Sequence, residues 1–168
     1  MSFEPLREAH ATLLHANFQD ERLYRWIPQE PPDLEQLRLH YRRLEARQSP
    51  DGTEAWLNWT LRLKEEQVFA GTLEATIHAN DHASIAYFVF PAFWGRGVAK
   101  EACGRLCAHL VEDWRVKQLA ANIDTRNAAS IALVRSLGFV VAKTIRNADF
   151  FKGSSSDEYV YRLSVADH

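Results

Sequence analysis

The chain has 168 residues, of which 46% are hydrophobic and 25% are charged, and its formal net charge at pH 7 is −2. This length suits one domain with a sizeable hydrophobic core. The near-neutral balance excludes a global basic field, so we expect neither nucleic acid nor a membrane as the main partner.

The cysteines and the N-terminus bear on redox chemistry and location. Cys103 and Cys107 stand one helical turn apart, where a disulfide is geometrically poor and two thiols do not make a zinc site. We expect both to be buried small hydrophobes, and we expect no metal. The start, MSFEP, lacks the charged and apolar segments of a signal peptide, and no run of about 18 apolar residues occurs. We therefore expect a cytoplasmic protein with a single domain over residues 1–168.

The first part of the chain predicts a short edge strand followed by helices. The strand covers residues 2–6, and apolar residues at helical spacing predict helices over residues 8–17, 20–26 and 33–48. The last of these helices carries a stripe of arginines, which either recognises an acidic acceptor or is a solvated helix face. The stripe comprises Arg38, Arg42, Arg43 and Arg47.

Three strands come next. Residues 56–63 alternate between apolar and polar side chains, and residues 68–78 form a second strand after the turn at 64–67. A turn at residues 80–81 then leads into a strand over residues 84–90. Three strands joined by such short turns predict an antiparallel meander.

The second half alternates strands with helices. The predicted elements are a helix over residues 98–114, a strand over 118–124, a helix over 127–137, a strand over 139–150, a loop over 152–156 and a strand over 158–163. The whole order predicts an α/β fold with a mixed, mostly antiparallel sheet of about seven strands and helices on both faces.

One junction has the chemistry of an anion site. The strand that ends at Pro91 passes through a glycine-containing loop into a helix N-terminus, where free backbone N–H groups and the helix dipole favour an anion. Gly95 and Gly97 let the backbone approach a phosphate, and Arg96 and Lys100 add positive charge. The spacing matches neither the Walker loop nor the dinucleotide-binding fingerprint. By itself the junction is either such a site or an ordinary strand-to-helix turn.

Three segments in this order resemble the GNAT superfamily of N-acetyltransferases. They are residues 94–99 (WGRGVA), Asn127 followed three residues later by Ser130, and residues 137–139 (LGF). Within the superfamily, the chain most resembles the branch that acetylates the N-termini of ribosomal proteins. Trp94 stands where many members carry Gln or Arg, and tryptophan at this position is typical of that branch.

The resemblance covers residues 68–163 well and the first half of the chain only loosely. It implies acceptor-side helices over about residues 8–48 and an acetyl-CoA-binding core over about residues 68–139. It also implies a splayed central pair of parallel strands, with the pantetheine arm in the gap between residues 87–90 and 119–123. The residues implied at acetyl-CoA are Phe88, Val89, Phe90, Gly95, Arg96, Gly97, Val98, Ala99, Lys100, Asn127 and Ser130.

The resemblance also implies catalytic groups. A backbone N–H near Phe88 or Val89 is expected to bind the thioester oxygen as negative charge develops on it. Many members use a tyrosine to protonate the leaving thiolate, but Val134 occupies that position here. Ser130 is then the candidate to hydrogen-bond the sulfur or an ordered water, and the alternative is that Asn127 and Ser130 only cap a helix.

Two carboxylates are candidates for the general base. Asp149 aligns with an acidic position of the ribosomal-protein branch, and partial burial at the end of its strand is expected to raise its pKa. Glu74 stands among apolar neighbours and faces either the active-site cleft or the solvent. For each residue, the alternative is an ordinary solvated position on a strand.

The expected function is transfer of an acetyl group from acetyl-CoA to a primary amine, by direct attack in a ternary complex. Deprotonating a lysine-type amine at pH 7 costs about 4.6 kcal/mol, against about 1 kcal/mol for an α-amine, which favours the N-terminus of a protein or peptide, or the α-amine of an amino acid, over a polyamine or a lysine side chain. The alternatives are a small-molecule amine (an antibiotic, amino acid or polyamine) and a non-catalytic CoA-binding module, which the absent tyrosine at position 134 favours. We expect a monomer or a homodimer.

Overall fold

A computed structural model describes residues 1–166, which form one seven-stranded sheet and four α-helices. The strands are β1 (Ser2–Pro5), β2 (Ala55–Leu63), β3 (Val68–His78), β4 (His82–Val89), β5 (Gln118–Asp124), β6 (Val140–Phe151) and β7 (Ser154–Ser164). The helices are α1 (His10–Leu14), α2 (Leu34–Leu44), α3 (Val98–Glu112) and α4 (Ala128–Ser136). The strand order is β1-β2-β3-β4-β5-β7-β6, and only β4 and β5 are parallel neighbours. The predicted fold class is confirmed.

The first helices are shorter than predicted. A capping box formed by Asp33 and Gln36 begins α2, as the sequence indicates, but the helix ends at Leu44 rather than Gln48. Arg47 adopts a left-handed φ of 58°, and its carbonyl accepts a hydrogen bond from the amide of Trp56 (2.9 Å). The chain has therefore already turned toward β2 at this point.

The loop predicted over residues 152–156 is also wrong, because residues 154–156 belong to β7. Lys152 and Gly153 both have a positive φ, 51° and 78°, which is the backbone of a two-residue hairpin turn. The two strands can therefore pair at once, with Phe151 opposite Ser154.

Each face of the sheet carries its own apolar cluster. Leu106 of α3 and Val134 of α4 pack on one face, whereas Leu14 of α1 and Tyr41 of α2 pack on the other. Cys103 and Cys107 are buried free thiols on α3, and burial raises the pKa of Cys103 to about 12 and that of Cys107 to about 11. No helix of the described chain is both long and apolar enough to cross a bilayer.

The two parallel strands separate partway along their length. β4 pairs with β5 only through residues 82–84, opposite residues 118–120. Beyond that point β5 stays paired with β7 as far as Asp124, opposite Glu158. A gap therefore opens between the carboxyl ends of β4 and β5, as the resemblance implied.

Gly71 allows β3 to approach β4 beside this gap. The register between β2 and β3 shifts at Leu61, which brings the backbone of Gly71 against the carbonyl of Phe88. A Cβ at position 71 would stand only 1.9 Å from that carbonyl oxygen. Only glycine fits here without moving β4.

We expect Gly71→Ala to lower the free energy of unfolding by about 1–3 kcal/mol or more, since the added methyl group overpacks two strand backbones. Gly104→Ala in α3 is the matched control, because its Cβ would meet only Leu137 Cδ2 at an ordinary 3.7 Å. That control is expected to gain up to about 1 kcal/mol from helix propensity. Urea denaturation measures both, and equal effects of the two variants would contradict the prediction.

Candidate active site

The backbone of β4 is divided between its neighbour β3 and the gap. The amide of Phe90 donates to the carbonyl of Ala70 (2.8 Å), and the carbonyl of Phe90 accepts from the amide of Phe93 (2.9 Å). Backbone groups alternate in an antiparallel ladder, so Phe88 also faces β3, whereas Tyr87 and Val89 face the gap. Both backbone groups of Phe90 are therefore engaged within the protein, and its place at acetyl-CoA stays a prediction.

The gap presents backbone groups that need partners. Within residues 1–166, no strand pairs with Tyr87 and Val89 on the side of β5. The carbonyl of Val89 instead accepts a hydrogen bond from the indole N–H of Trp94 (2.6 Å). Because half-buried backbone groups are nearly always hydrogen-bonded, the gap suits a ligand that carries amide groups of its own.

The loop from β4 to α3 has the geometry of an anion site. Gly95 and Gly97 have φ values of 73° and 77°, and Gly97 is the N-cap of α3, with no side chain bonded to the first-turn amides. Arg96 pairs with Glu66, which offsets part of its positive charge, and its place at the phosphate stays a prediction. Lys100 is exposed and joins no salt bridge within residues 1–166, which leaves it as the cation beside the loop.

The other residues of this loop have structural positions. Val98 is buried in the core cluster beneath α3, and Ala99 packs partly against the same cluster. Trp94 remains half exposed, with the guanidinium of Arg22 5.6 Å above its ring. Its indole ties the loop to the end of β4 instead of filling the core.

At the start of α4, three polar groups come together. The side chain of Asn127 accepts a hydrogen bond from the amide of Ser130 (3.2 Å), so Asn127 is the N-cap. The hydroxyl of Ser130 lies 2.7 Å from the hydroxyl of Tyr87. Val134 is buried, and its apolar side chain has no proton to donate.

Tyr87 was not singled out from the sequence. Burial raises its pKa to about 12, although the bond to Ser130 opposes this rise. The alternation of β4 places Tyr87 on the same face as Ile85 and Val89. The polar hydroxyl of Tyr87, on an otherwise apolar face of the strand, is the sequence signal that could have identified this residue.

A buried carboxylate shapes the turn between β5 and α4, and it was also missed. Asp124 accepts hydrogen bonds from the guanidinium of Arg126 (2.7 and 2.9 Å), from the amide of Arg126 (2.8 Å) and from the hydroxyl of Ser156 (2.6 Å). Burial alone would raise the pKa of Asp124, but these bonds outweigh it and lower the pKa to about 2. The network anchors the turn that presents Asn127 and Ser130.

The two candidate bases lie on the opposite face from Tyr87. Asp149 is exposed on the edge strand β6 and accepts from the amide of Phe150 (2.7 Å), so its expected partial burial is wrong. It pairs with Ser156 of β7 and therefore lies two strands, about 10 Å, from β5. Glu74 lies opposite Ala86 of β4, the strand that borders the gap. Its carboxylate reaches solvent, yet the surrounding protein desolvates it and raises its pKa.

The rim on this face joins distant parts of the chain. The ammonium of Lys152, at the tip of the β6–β7 hairpin, donates to the carbonyls of Ile27 (2.8 Å) and Gln29 (3.1 Å). The guanidinium of Arg126 lies 4.9 Å from the centre of the Trp26 ring. These contacts hold the β6–β7 hairpin and the turn after β5 against the loop before α2, on the face of the sheet that carries Glu74 and Asp149.

The arginine stripe of α2 is partly engaged by the protein itself. Arg42 pairs with Glu8 (2.8 Å) and Arg38 pairs with Glu35 (3.1 Å), all on the exposed surface. This arrangement fits a solvated helix face better than a site for an acidic acceptor. Nor do the described residues contain a cluster of three or more His, Cys, Asp or Glu suited to a metal ion.

Comparison with known proteins supports the same family. The model of the acetyltransferase (GNAT) domain matches residues 1–140. The chain is 30% identical over 84 residues to the uncharacterised N-acetyltransferase p20 of Bacillus licheniformis, and 24% identical over 109 residues to the uncharacterised N-acetyltransferase YoaA of Bacillus subtilis (strain 168). These matches cover 50% and 64% of this chain, but only 47% and 62% of the relatives. The chain therefore spans about half to three fifths of the curated relatives that it matches.

Solved structures share the fold at low sequence identity. An acetyltransferase of the GNAT family from Bacillus anthracis superimposes with a TM-score of 0.81 at 15% identity, over 96% of this chain and 93% of the other. Spermidine N-acetyltransferase from Vibrio cholerae, in complex with CoA and spermine, gives 0.83 at 15% identity, over 97% and 94%. None of the relatives and structures named here is described as a ribosomal-protein acetyltransferase, so that sub-branch stays a prediction.

We expect Asp124→Asn to lower the free energy of unfolding at pH 7 by about 1–3 kcal/mol, because charged hydrogen bonds in a buried network are lost. The carboxyl pKa is lowered from 3.8 to about 2 on folding, so its stabilising effect is complete above pH 4 and lost as the pH falls toward 2. The difference in free energy of unfolding between wild type and Asp124→Asn should therefore become smaller as the pH falls from 4 toward 2.

Thermal unfolding between pH 2 and 7 measures this effect. Asp149→Asn is the control, because that carboxylate is exposed and bonds only its neighbouring amide. A constant difference between wild type and Asp124→Asn across the range would contradict the assignment.

Proposed function

The chain belongs to the GNAT acetyltransferase family, and we propose that it transfers an acetyl group from acetyl-CoA to a primary amine by direct attack in a ternary complex. The observation that carries this proposal is the gap between β4 and β5, which opens beside the glycine loop at the start of α3. Gap and loop together offer hydrogen-bonding backbone for an amide-containing arm and an anion site for a diphosphate.

The proposed coenzyme site uses the backbone more than side chains. The pantetheine amides pair with the gap-facing groups of Tyr87 and Val89, as a further strand would. The diphosphate lies on the amides of residues 95–100, with the charge of Lys100 beside it. Asn127 is the N-cap of α4, at the end of the gap where β5 leads into that helix. Pairing with Val89 requires the Trp94 indole to share or release its carbonyl.

The proposed oxyanion donor is the amide of Val89. Of the two residues considered from the sequence, Val89 faces the gap, and Phe88 faces β3. Negative charge forms on the thioester oxygen when the amine attacks, and a fixed amide in a site with little water stabilises that charge strongly. This step needs no titratable group.

Glu74 is the proposed general base. The raised pKa of Glu74 makes it a better proton acceptor than an ordinary carboxylate, and Glu74 lies beside β4, the strand proposed to bind the coenzyme. Residues 8–48 form the proposed acceptor side. Asp149 lies two strands farther away, on the rim. We assign Asp149 to acceptor contact rather than to proton transfer.

The proposed acceptor is the α-amine of a protein or peptide N-terminus. An α-amine loses its proton at a cost of about 1 kcal/mol at pH 7, against about 4.6 kcal/mol for a lysine-type amine. One exposed carboxylate is a modest base, which suits the easier deprotonation. Release of free CoA with short peptides, amino acids and spermidine tests this choice. Turnover of spermidine alone would establish the small-molecule alternative, and CoA binding without any turnover would establish a non-catalytic module.

We expect Gly97→Ala to weaken CoA binding about tenfold or more, because a Cβ at the N-cap would stand between the helix amides and the diphosphate. Calorimetric titration with CoA measures the change. Gly52→Ala is the matched control, since Gly52 has a similar φ of 73° in a turn elsewhere and carries the same left-handed strain of about 1–2 kcal/mol. Equal affinities for the two variants would place the diphosphate elsewhere.

We expect Glu74→Gln to lower kcat about 100-fold with an α-amine acceptor. Wild-type activity should rise as the pH increases through the raised pKa of Glu74, because only the carboxylate accepts a proton, and the variant should lose this rise. Rates between pH 5 and 9 measure the profile, with Glu65→Gln, an exposed carboxylate in the β2–β3 turn, as the control. An unchanged profile in Glu74→Gln would remove it as the base.

A further inference from the structure

The Tyr87–Ser130 hydrogen bond joins the two sides of the gap. Tyr87 comes from β4, on one side, and Ser130 comes from the first turn of α4, which follows β5 on the other side. Tyr87 packs against the cluster beneath α3 and α4, so the pair lies on the face opposite Glu74. The amine and its base therefore approach from one face, and the two hydroxyls lie on the other.

Within residues 1–166, the hydroxyl of Ser130 has no hydrogen-bond partner other than Tyr87. Serines in helices often donate to a carbonyl one turn earlier, as Ser136 does to Leu133 (2.6 Å). Among the described residues, Ser130 Oγ has only Tyr87 as a partner. A phenol is more acidic than an aliphatic alcohol, so Tyr87 is the better donor of the pair. With Tyr87 donating, the Ser130 proton remains available to a third group.

We propose that Tyr87 is a positioning residue for acetyl transfer: its hydroxyl donates to Ser130 Oγ and thereby directs the Ser130 proton at the sulfur of the leaving thiolate. This inference rests on the proposed function. Position 134 of α4, where many members of the family carry a tyrosine beside the sulfur, is a buried valine here. The inference instead gives Tyr87 of β4 a role near the sulfur.

The chemistry of the step requires a hydrogen bond and not a complete proton transfer. When the tetrahedral intermediate collapses, the C–S bond breaks and its electron pair moves to sulfur. Burial raises the pKa of Tyr87 to about 12, whereas a thiol has a pKa of about 8.5, so transfer of the phenol proton would be unfavourable by about three to four orders of magnitude. The thiolate therefore departs as an anion stabilised by the Ser130 hydroxyl, and water protonates it afterwards.

The test compares Tyr87→Phe, Ser130→Ala and the double variant in steady-state turnover of acetyl-CoA. Each single variant is expected to lower kcat about tenfold while KM for acetyl-CoA and the Kd of CoA stay within about twofold, because the bond acts on the leaving group. The double variant should be no slower than the slower single variant, since the two hydroxyls act as a unit.

Comparing two acetyl donors with different leaving groups separates the proposed role of Tyr87 from a purely structural one, because a structural defect would lower the rate equally with both donors. With S-acetyl thiophenol, whose thiolate is more stable and needs less hydrogen bonding, Tyr87→Phe should lose much less rate than with acetyl-CoA. Tyr159→Phe is the matched control, because Tyr159 packs 5.9 Å from Tyr161 on the same face, and among the described residues its hydroxyl has no hydrogen bond to Ser130. That control is expected to match wild type with both donors.

The possible outcomes separate the inference from the proposed function. If wild type turns over no amine, both are overturned. If wild type is active and Tyr87→Phe keeps its kcat, or loses rate equally with both donors, only the inference is overturned. If Tyr87→Phe does not fold, Ser130→Thr keeps a hydroxyl and should retain activity and the wild-type dependence on leaving group. Ser130→Ala should lose about tenfold in kcat with acetyl-CoA and much less with S-acetyl thiophenol. Equal rates for the two Ser130 variants would overturn the inference.

Discussion

The site depends on one constraint, which is that β5 cannot stay hydrogen-bonded to both β4 and β7 where these two strands diverge. β5 pairs with β7 along its whole length, but it pairs with β4 only through Ser84. The backbone of Tyr87 and Val89 is thereby left without a strand partner, and unpaired backbone in a cleft is costly. A ligand with backbone-like amide groups would supply the partners that the missing strand leaves out.

The splay also gives the site two chemically different faces. On one face, the core beneath α3 and α4 packs against Tyr87, whose hydroxyl bonds to that of Ser130. On the other face, Glu74 remains open to solvent while the protein around it raises its pKa. The proposed reaction uses this asymmetry, with the amine on the open face and the leaving thiolate on the packed face.

Much of the remaining structure holds the edges of the gap in place. Gly71 lets β3 support the backbone of Phe88, and Asp124 fixes the turn that leads into α4. Lys152 joins the β6–β7 hairpin to the loop before α2. These contacts come from three separate stretches of chain, yet all lie around the carboxyl ends of β4 and β5, where open sheets of this kind bind their ligands.

The sequence by itself determined the seven strands, the glycine loop at the start of α3, and the cap at Asn127, because each depends on neighbours within a few residues. Only the tertiary structure decided how side chains from distant segments meet. It joined Tyr87 to Ser130, turned Arg96 to Glu66 and left Asp149 on an exposed edge strand. Local patterns specify which face of a strand a residue occupies, but they do not specify which strand or helix lies opposite, and those partners set burial, charge and hydrogen bonding.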